Sequence, residues 1–152
     1  MHQLCRIFND FVRGGRVVIA HIIYISGLRS TDGSHENPGY ILYVNARWKA
    51  KAFPKEPVSE ALPALVSGQP QHAGKDALFI HQDAAIYGGT LRAGTTITQP
   101  IKHQAYVLAS TGNFTIGGVA MKQGDGAEVT GVDSIVISAS TDCEVLVIDV
   151  PV

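Results

Sequence analysis

The chain has 152 residues, of which 45% are hydrophobic and 16% charged, a balance that suits one domain with a substantial core and argues against disorder. A net charge of −1 excludes a general electrostatic attraction to nucleic acid or to an anionic membrane. The cysteines, Cys5 and Cys143, are too few for a disulfide framework and lack a metal-type spacing, so we expect reduced thiols in a cytoplasmic protein.

The first 39 residues contain one segment that we interpret as a strand. The run "VVIAHIIYI", residues 17–25, is rich in β-branched side chains and too short to span a bilayer. No small-x-small cleavage site follows it, which argues against a signal peptide. Residues 29–39 contain Asp-Gly and Asn-Pro breakers and predict a polar linker. We therefore expect an N-terminal extension over residues 1–39 and a domain over residues 40–152.

The domain begins with a region that we interpret mainly as a connector. Residues 40–50 are β-prone, but four prolines between residues 53 and 70 prevent a long helix. This region is expected to be extended, with one helical turn near residues 59–62.

From residue 77 onward the pattern is β throughout. Apolar runs recur about every eight to ten residues with turn signals between them, which is typical of a sandwich or barrel. The Gly117-Gly118 pair lies between two such runs and predicts a hairpin with a two-residue turn. We predict an all-β fold, an antiparallel β-barrel or jelly roll. The predicted strands are residues 77–81, 85–91, 95–101, 104–110, 113–116, 119–122, 127–130, 134–139 and 144–150.

Three polar side chains in this region are predicted to be structural. Asp125, in a Gly-Asp-Gly turn, is expected to accept backbone N–H bonds, and Asp149 is expected to have a backbone or arginine partner. The last strand alternates two apolar sets, so both of its faces are expected to be covered, with Cys143 as a buried, inert thiol.

Several segments in this order resemble the C-terminal cupin domain of pirin and pirin-like bicupin proteins. They are "YILYVNARWKAKAFPKEP", "IHQDAAIYGGTLRAGTTI", "AYVLASTGNFTIGG", "MKQGDGAEV" and "CEVLVIDVP". The resemblance covers residues 40–152 and implies a single cupin-type jelly roll, also called a double-stranded β-helix. In that family an N-terminal cupin stands where residues 1–39 stand here, and those residues match no family that we identify.

The resemblance also locates the positions of the metal ligands of many cupins, three histidines and one glutamate. If the first ligand motif ends at Gly112, the glutamate position falls on Ala105 and the histidine pair on Gln99 and Ile101, or one residue earlier on Thr98 and Pro100. The last histidine position falls on Ser134. All four positions lack an imidazole or carboxylate ligand, so we predict a domain with no metal and no cofactor.

Other residues are weighed as a substitute site. His81 and Asp83 are two residues apart at a predicted strand end, and with His103 they form a hypothetical metal set. The simpler interpretation is that His81 ends a strand, Asp83 lies in a turn and His103 lies in a loop. Trp48 is a candidate for a protein contact or for a strand residue folded onto the barrel. Four aromatic side chains either line an apolar ligand pocket or pack in the core: Phe79, Tyr87, Tyr106 and Phe114.

These observations favour a metal-free cupin that acts as a binding or assembly module. The expected partner is a second copy, in a homodimer that imitates a bicupin, with residues 17–25 adding to the neighbouring sheet. One alternative is a quercetin-dioxygenase-like enzyme with His81, Asp83 and His103 as unconventional ligands. The other is a small-molecule sensor or carrier that uses the barrel interior.

Overall fold

A computed structural model describes residues 16–20 and 48–151, with side chains described from residue 51 onward. Within these residues the protein consists of strands and one 3₁₀ turn, Pro70–His72. The strands are β1 (Arg16–Ala20), β2 (Trp48–Ala52), β3 (Ala64–Ser67), β4 (Leu78–Phe79), β5 (Ala85–Leu91), β6 (Thr96–Pro100), β7 (Gln104–Thr111), β8 (Phe114–Ile116), β9 (Val119–Met121), β10 (Gly126–Val129), β11 (Ser134–Ala139) and β12 (Cys143–Val150).

Two sheets form a sandwich. The larger sheet has six strands in the order β10-β7-β12-β5-β3-β4, and the smaller has four in the order β6-β11-β8-β9. Strand pairs are antiparallel except β3 with β4. The two sheets do not hydrogen-bond into one closed ring, so the predicted all-β fold is confirmed as an open jelly-roll sandwich rather than a closed barrel.

The main core lies between the sheets. Strands of both sheets contribute alternate residues to it, among them Ile97, Phe114, Ile137, Val145 and Val147. This alternation follows from the two-residue period of a strand, which sends successive side chains to opposite faces. The fold is therefore stabilised chiefly by aliphatic burial between two pleated surfaces.

The central strand β12 is buried on both faces, as its sequence predicts. Val145 and Val147 face the main core, whereas Leu146 and Ile148 belong to a second apolar cluster on the outer side of the six-stranded sheet. Phe53 and Leu78 pack against that second cluster. The connector before β5 thus covers part of the outer face of the sheet.

The predicted Gly-Gly hairpin is confirmed. Gly117 and Gly118 join β8 to β9 with φ angles of 52° and 87°, the left-handed conformation that a primed two-residue turn requires at both positions. The predicted role of Asp125 is also confirmed, because its Oδ2 accepts the backbone N–H of Lys122 at 2.8 Å.

Two expectations about the connector are wrong. The helical turn expected near residues 59–62 is absent, and the 3₁₀ turn lies at Pro70–His72 instead. The segment also contains an unpredicted strand, β3. It is only four residues long, begins directly after Pro63 and pairs with β5. Strand β1 (Arg16–Ala20) includes residues 17–20 of the strand predicted at residues 17–25, and it pairs with β2. The remainder, and the domain boundary at residue 40, lie outside the described residues.

Candidate functional site

The interior of the sandwich is polar at one end. Residues Ala85 and Asp149 pair there, where β5 begins and β12 ends. The buried polar or charged side chains of the described region are Ser67, Gln69, Gln99 and Asp149, and three of these meet at this end. We use the term "polar end" for Ser67, Gln69, His72, Tyr87 and Asp149.

Asp149 is the centre of the polar end. Its side chain is fully buried, and its carboxylate accepts the backbone N–H of Lys102 at 2.7 Å and of His103 at 2.9 Å. Gln69 Nε2 donates to the same carboxylate at 3.3 Å. The predicted backbone partner of Asp149 is confirmed, and this one carboxylate attaches two loops to the end of β12.

Gln69 and Tyr87 form the second part of the network. The Oε1 atom of Gln69 accepts the Tyr87 hydroxyl at 3.4 Å and Gln71 Nε2 at 2.6 Å. Burial, with the nearby charge of Asp149, raises the pKa of Tyr87 to about 12. Tyr87 is therefore a neutral hydrogen-bond donor throughout the physiological pH range.

Ser67 and His72 form the third part. Ser67 Oγ accepts the backbone N–H of Gln69 at 3.0 Å and lies 2.8 Å from His72 Nδ1. The imidazole ring also contacts the Tyr87 ring edge to face, with centroids 5.6 Å apart. Partial burial and the charge of Lys75 lower the pKa of His72, and Asp149 opposes this effect. The folded protein thus favours the neutral imidazole.

The hypothetical metal set is only partly brought together. His103 Nε2 lies 3.0 Å from Asp83 Oδ2, but Lys102 Nζ occupies the same carboxylate at 2.7 and 2.8 Å. The hydrogen bond from Lys102 is the main reason that the pKa of Asp83 is lowered. His81 contacts the Phe79 ring, with centroids 4.9 Å apart. In the part of the chain that the structure describes, no group of three or more His, Cys, Asp or Glu residues is arranged to hold a metal ion.

The usual cupin ligand positions do not fit a metal either. Gln99, at one histidine position, is buried, with Oε1 accepting the Leu62 N–H at 2.8 Å and Nε2 donating to the Pro100 carbonyl at 3.1 Å. Ile101 and Ala105 are buried among aliphatic side chains. Ser134, like the alternative positions Thr98 and Pro100, is exposed. These residues offer one amide that is already used and no carboxylate or imidazole.

The four aromatic side chains do not surround one cavity. Phe114 and Tyr87 are buried in the main core, whereas Phe79 and Tyr106 are 59% and 41% exposed. Only Tyr87 takes part in the polar end, and a ligand-binding role for these side chains stays a prediction. The side chain of Trp48 lies outside the described side chains, so its proposed contact is likewise a prediction.

Sequence reasoning did not find Ser67, Gln69 or His72. They lie in the proline-rich connector, where serine, glutamine and histidine are ordinary loop residues. The signal that marks them is spatial, because Gln69 meets Asp149 across 80 positions of the chain. No local pattern carries that information.

Comparisons with known proteins agree with this fold. Residues 65–150 match the family described as "Quercetinase C-terminal cupin domain". A Zymomonas mobilis protein named "Putative quercetin 2,3-dioxygenase ZMO1337" is 35% identical over 103 residues, which are 66% of this chain and 43% of that protein. A "Pirin-like protein" of Caulobacter vibrioides is 35% identical over 104 residues, which are 67% of this chain and 44% of that protein.

The structural comparison includes the crystal structure of YhhW from Escherichia coli. It superposes with a TM-score of 0.60 and 27% identity, covering 72% of this chain and 45% of that one. The chain therefore spans less than half of the length of each of these relatives. Across residues 16–20 and 48–151 there is no helix long and apolar enough to cross a membrane.

Proposed function

The chain belongs to the family of quercetinase C-terminal cupin domains found in pirin-like proteins, and from this premise we propose that it is a non-catalytic binding and assembly domain. In this proposal the domain works without a metal, in the cytoplasm, as a homodimer. The observation that carries it is the use of Gln99, a cupin ligand position in one of the two registers of the resemblance, as an anchor for the backbone of Leu62.

The rest of the described interior supports the same conclusion. The main core is filled mostly by aliphatic side chains, and burial raises the pKa of its one thiol among the described residues, Cys143, which disfavours the thiolate that would bind a metal. At the polar end the side chains satisfy one another, and no buried side-chain nitrogen or oxygen of the described residues lacks a hydrogen-bond partner. Neither region presents the open, polar coordination position that cupin metal chemistry needs.

The homodimer is proposed from an apolar surface on the six-stranded sheet. Tyr106 and Leu108 are 41% and 38% exposed, and they pair with Ile148 and Leu146 on β12, which are buried under the connector. The apolar face therefore continues from its covered part to an uncovered part on β7. Tyrosine is enriched at protein interfaces, and an exposed apolar patch that continues a buried cluster is a candidate contact surface. We propose that a second copy covers this part.

Elemental analysis and light scattering on the same purified full chain test the proposal. We expect far less than one transition-metal ion per chain after dialysis and a mass of two chains. Iron, nickel or zinc bound near one per chain would contradict the metal-free function, and a mass of one chain at all concentrations would contradict the homodimer.

A substitution pair locates the interface. Leu108→Glu should convert the dimer to a monomer, because an unpaired carboxylate would be buried between the two copies. Val136→Glu is the matched control, since Val136 is 46% exposed on β11 of the other sheet and should leave the dimer intact. Dissociation by Val136→Glu alone would move the interface to the four-stranded sheet.

The second candidate is the activity named for the Zymomonas relative. Incubation of the chain with quercetin and oxygen, after loading with iron(II) or nickel(II), tests it directly. We expect no quercetin consumption above that of the free metal. Turnover that is lost in Asp83→Asn or His103→Gln would replace the non-catalytic proposal with the enzyme.

A further inference from the structure

We propose that residues 69–75, here called the plug, form a pH-sensitive closure over the polar end, held shut by the neutral form of His72. The plug contains the 3₁₀ turn Pro70–His72 and lies between β3 and β4. This inference concerns another part of the molecule from the dimer surface and does not depend on the proposed function.

The plug is attached to the sandwich by two side chains. Of its seven residues, only Gln69 and His72 are not exposed. Gln69 reaches Asp149 and Tyr87, and His72 reaches Ser67 and the Tyr87 ring. The backbone hydrogen bonds from His72, Ala73 and Lys75 stay inside the plug, accepted by Gln69, Pro70 and His72. Together with the backbone N–H of Gln69, which binds Ser67 Oγ, these two side chains hold the plug among the described residues.

Hydrogen bonding at Ser67 makes its contact with His72 sensitive to protonation of the imidazole. Ser67 Oγ already accepts the Gln69 N–H, and its other partner among the described residues is His72 Nδ1. In the tautomer that carries its proton on Nε2, Nδ1 accepts the Ser67 hydroxyl proton, which satisfies both groups. Protonation turns Nδ1 into a donor, which the second lone pair of Ser67 Oγ can accept, but the Ser67 hydroxyl proton then loses its acceptor at a nearly buried site.

Charged groups near His72 act on its imidazolium form in opposite directions. Lys75, within the plug, repels an imidazolium, and Asp149 on β12 attracts it. Tyr87 on β5 carries no charge, because the pKa of its phenol is raised to about 12. Burial and Lys75 outweigh Asp149, so the pKa of His72 lies below its ordinary value of 6.5 in the folded protein. The closure is therefore complete above that ordinary value and weakens as the pH falls below it.

Opening of the plug has a defined structural result. Removal of Gln69 and His72 uncovers Tyr87 and Asp149, which otherwise face the sandwich interior. Asp149 keeps the backbone N–H bonds from Lys102 and His103, so the sheet itself stays closed. Acidic solution would thus expose a phenol and a carboxylate at the end of an intact sandwich.

Hydrogen exchange, measured residue by residue on the full chain, tests the proposal. We expect the protection factors of the His72, Ala73 and Lys75 amides, corrected for intrinsic exchange, to be lower at pH 5.0 than at pH 7.5, with the fall setting in below pH 6.5. Protection of β5 and β12 amides should not change over the same range. Unchanged protection of the plug, or an equal loss in the plug and in both strands, would overturn the proposal.

Two variants separate the switch from a general effect of pH. His72→Asn keeps an acceptor near the Nδ1 position but cannot be protonated, so its plug protection should not depend on pH in this range. His103→Asn is the matched control, because His103 contacts Asp83 rather than the plug and its removal should leave the fall in plug protection as in the wild type. A fall that persists in His72→Asn, or disappears in His103→Asn, would overturn the assignment to His72.

Discussion

The side-chain amide of Gln99 and the backbone N–H of Leu62 form a buried hydrogen bond of 2.8 Å across 37 positions of the chain. Gln99 lies on β6 of the small sheet, and Leu62 lies just before β3 of the large sheet. This one bond therefore links the connector to the opposite layer of the sandwich. Gln99 is thus a structural link between the connector and the small sheet.

Gln99→Leu should lower the free energy of unfolding by about 1–3 kcal/mol, because it leaves the Leu62 N–H buried without an acceptor. Urea denaturation monitored by circular dichroism measures the change. Thr98→Val, at the exposed neighbouring position of the same strand, is the control and should stay within about 0.5 kcal/mol of the wild type. Equal stability of Gln99→Leu and the wild type would refute this structural link.

Asp149→Asn should destabilise the protein by about 2–3 kcal/mol, because one carboxylate oxygen becomes an NH₂ group that faces a backbone donor. Asp149 Oδ1 accepts from His103 and Oδ2 from Lys102, so either orientation of the amide opposes one N–H. Chemical denaturation gives the magnitude. Asp142→Asn is the matched control: Asp142 accepts one exposed backbone N–H, from Ala93, which an asparagine oxygen can still accept. A comparable loss in both variants would count against the central role of Asp149.

Gly68→Ala should destabilise the fold by at least about 3 kcal/mol through overpacking against backbone that cannot give way. A Cβ atom at this position would collide with the carbonyl oxygens of Ile80 and Gln82. Gly74→Ala provides the comparison, since its site is open and only the left-handed φ of 75° opposes the substitution, at about 1–2 kcal/mol. Thermal unfolding of both variants shows which substitution destabilises the protein more. A smaller loss of stability for Gly68→Ala than for Gly74→Ala would contradict the prediction.

Tyr87 should ionise later than an ordinary tyrosine when the folded protein is titrated with base. Its pKa is raised from 10.0 to about 12 by burial and by Asp149, so its contribution to stability is complete below pH 10 and is lost as the pH rises towards 12. Absorbance near 295 nm follows the phenolate. Tyr87→Phe should remove a late step from this titration, whereas Tyr106→Phe should retain it. No late step in the folded wild type would contradict the buried position of the phenol.

The strands after residue 84 could be predicted well because their information is local. Residues 85–91 and 134–139 were predicted with the bounds that the structure shows, since apolar runs end at turn residues on both sides. The Gly117-Gly118 turn is likewise specified by two adjacent glycines. A two-residue turn needs a positive φ at both positions, and a pair of glycines in the sequence indicates this directly.

The connector and the polar end could not be predicted because their partners are distant. β3 has only four residues and gains its place by pairing with β5. Asp149 was expected to have a backbone or arginine partner, but nothing in the sequence indicates that the partner is the backbone of Lys102 and His103. Asp83, one of the hypothetical metal ligands, forms an ion pair with Lys102. This pairing also depends on the fold, since the two residues are not neighbours in the sequence.

The central position of β12 bears on the order in which the chain folds. Both of its neighbours, β5 and β7, come far earlier in the sequence, and β12 separates them completely. The six-stranded sheet therefore cannot nucleate by extension of a local hairpin, and its middle must be completed by the last strand. Such non-local pairing has a high entropic cost of loop closure and slows the folding of β proteins. Until β12 docks, the inner edges of β5 and β7 are unpaired, which makes this interval the one in which the chain is most exposed to aggregation.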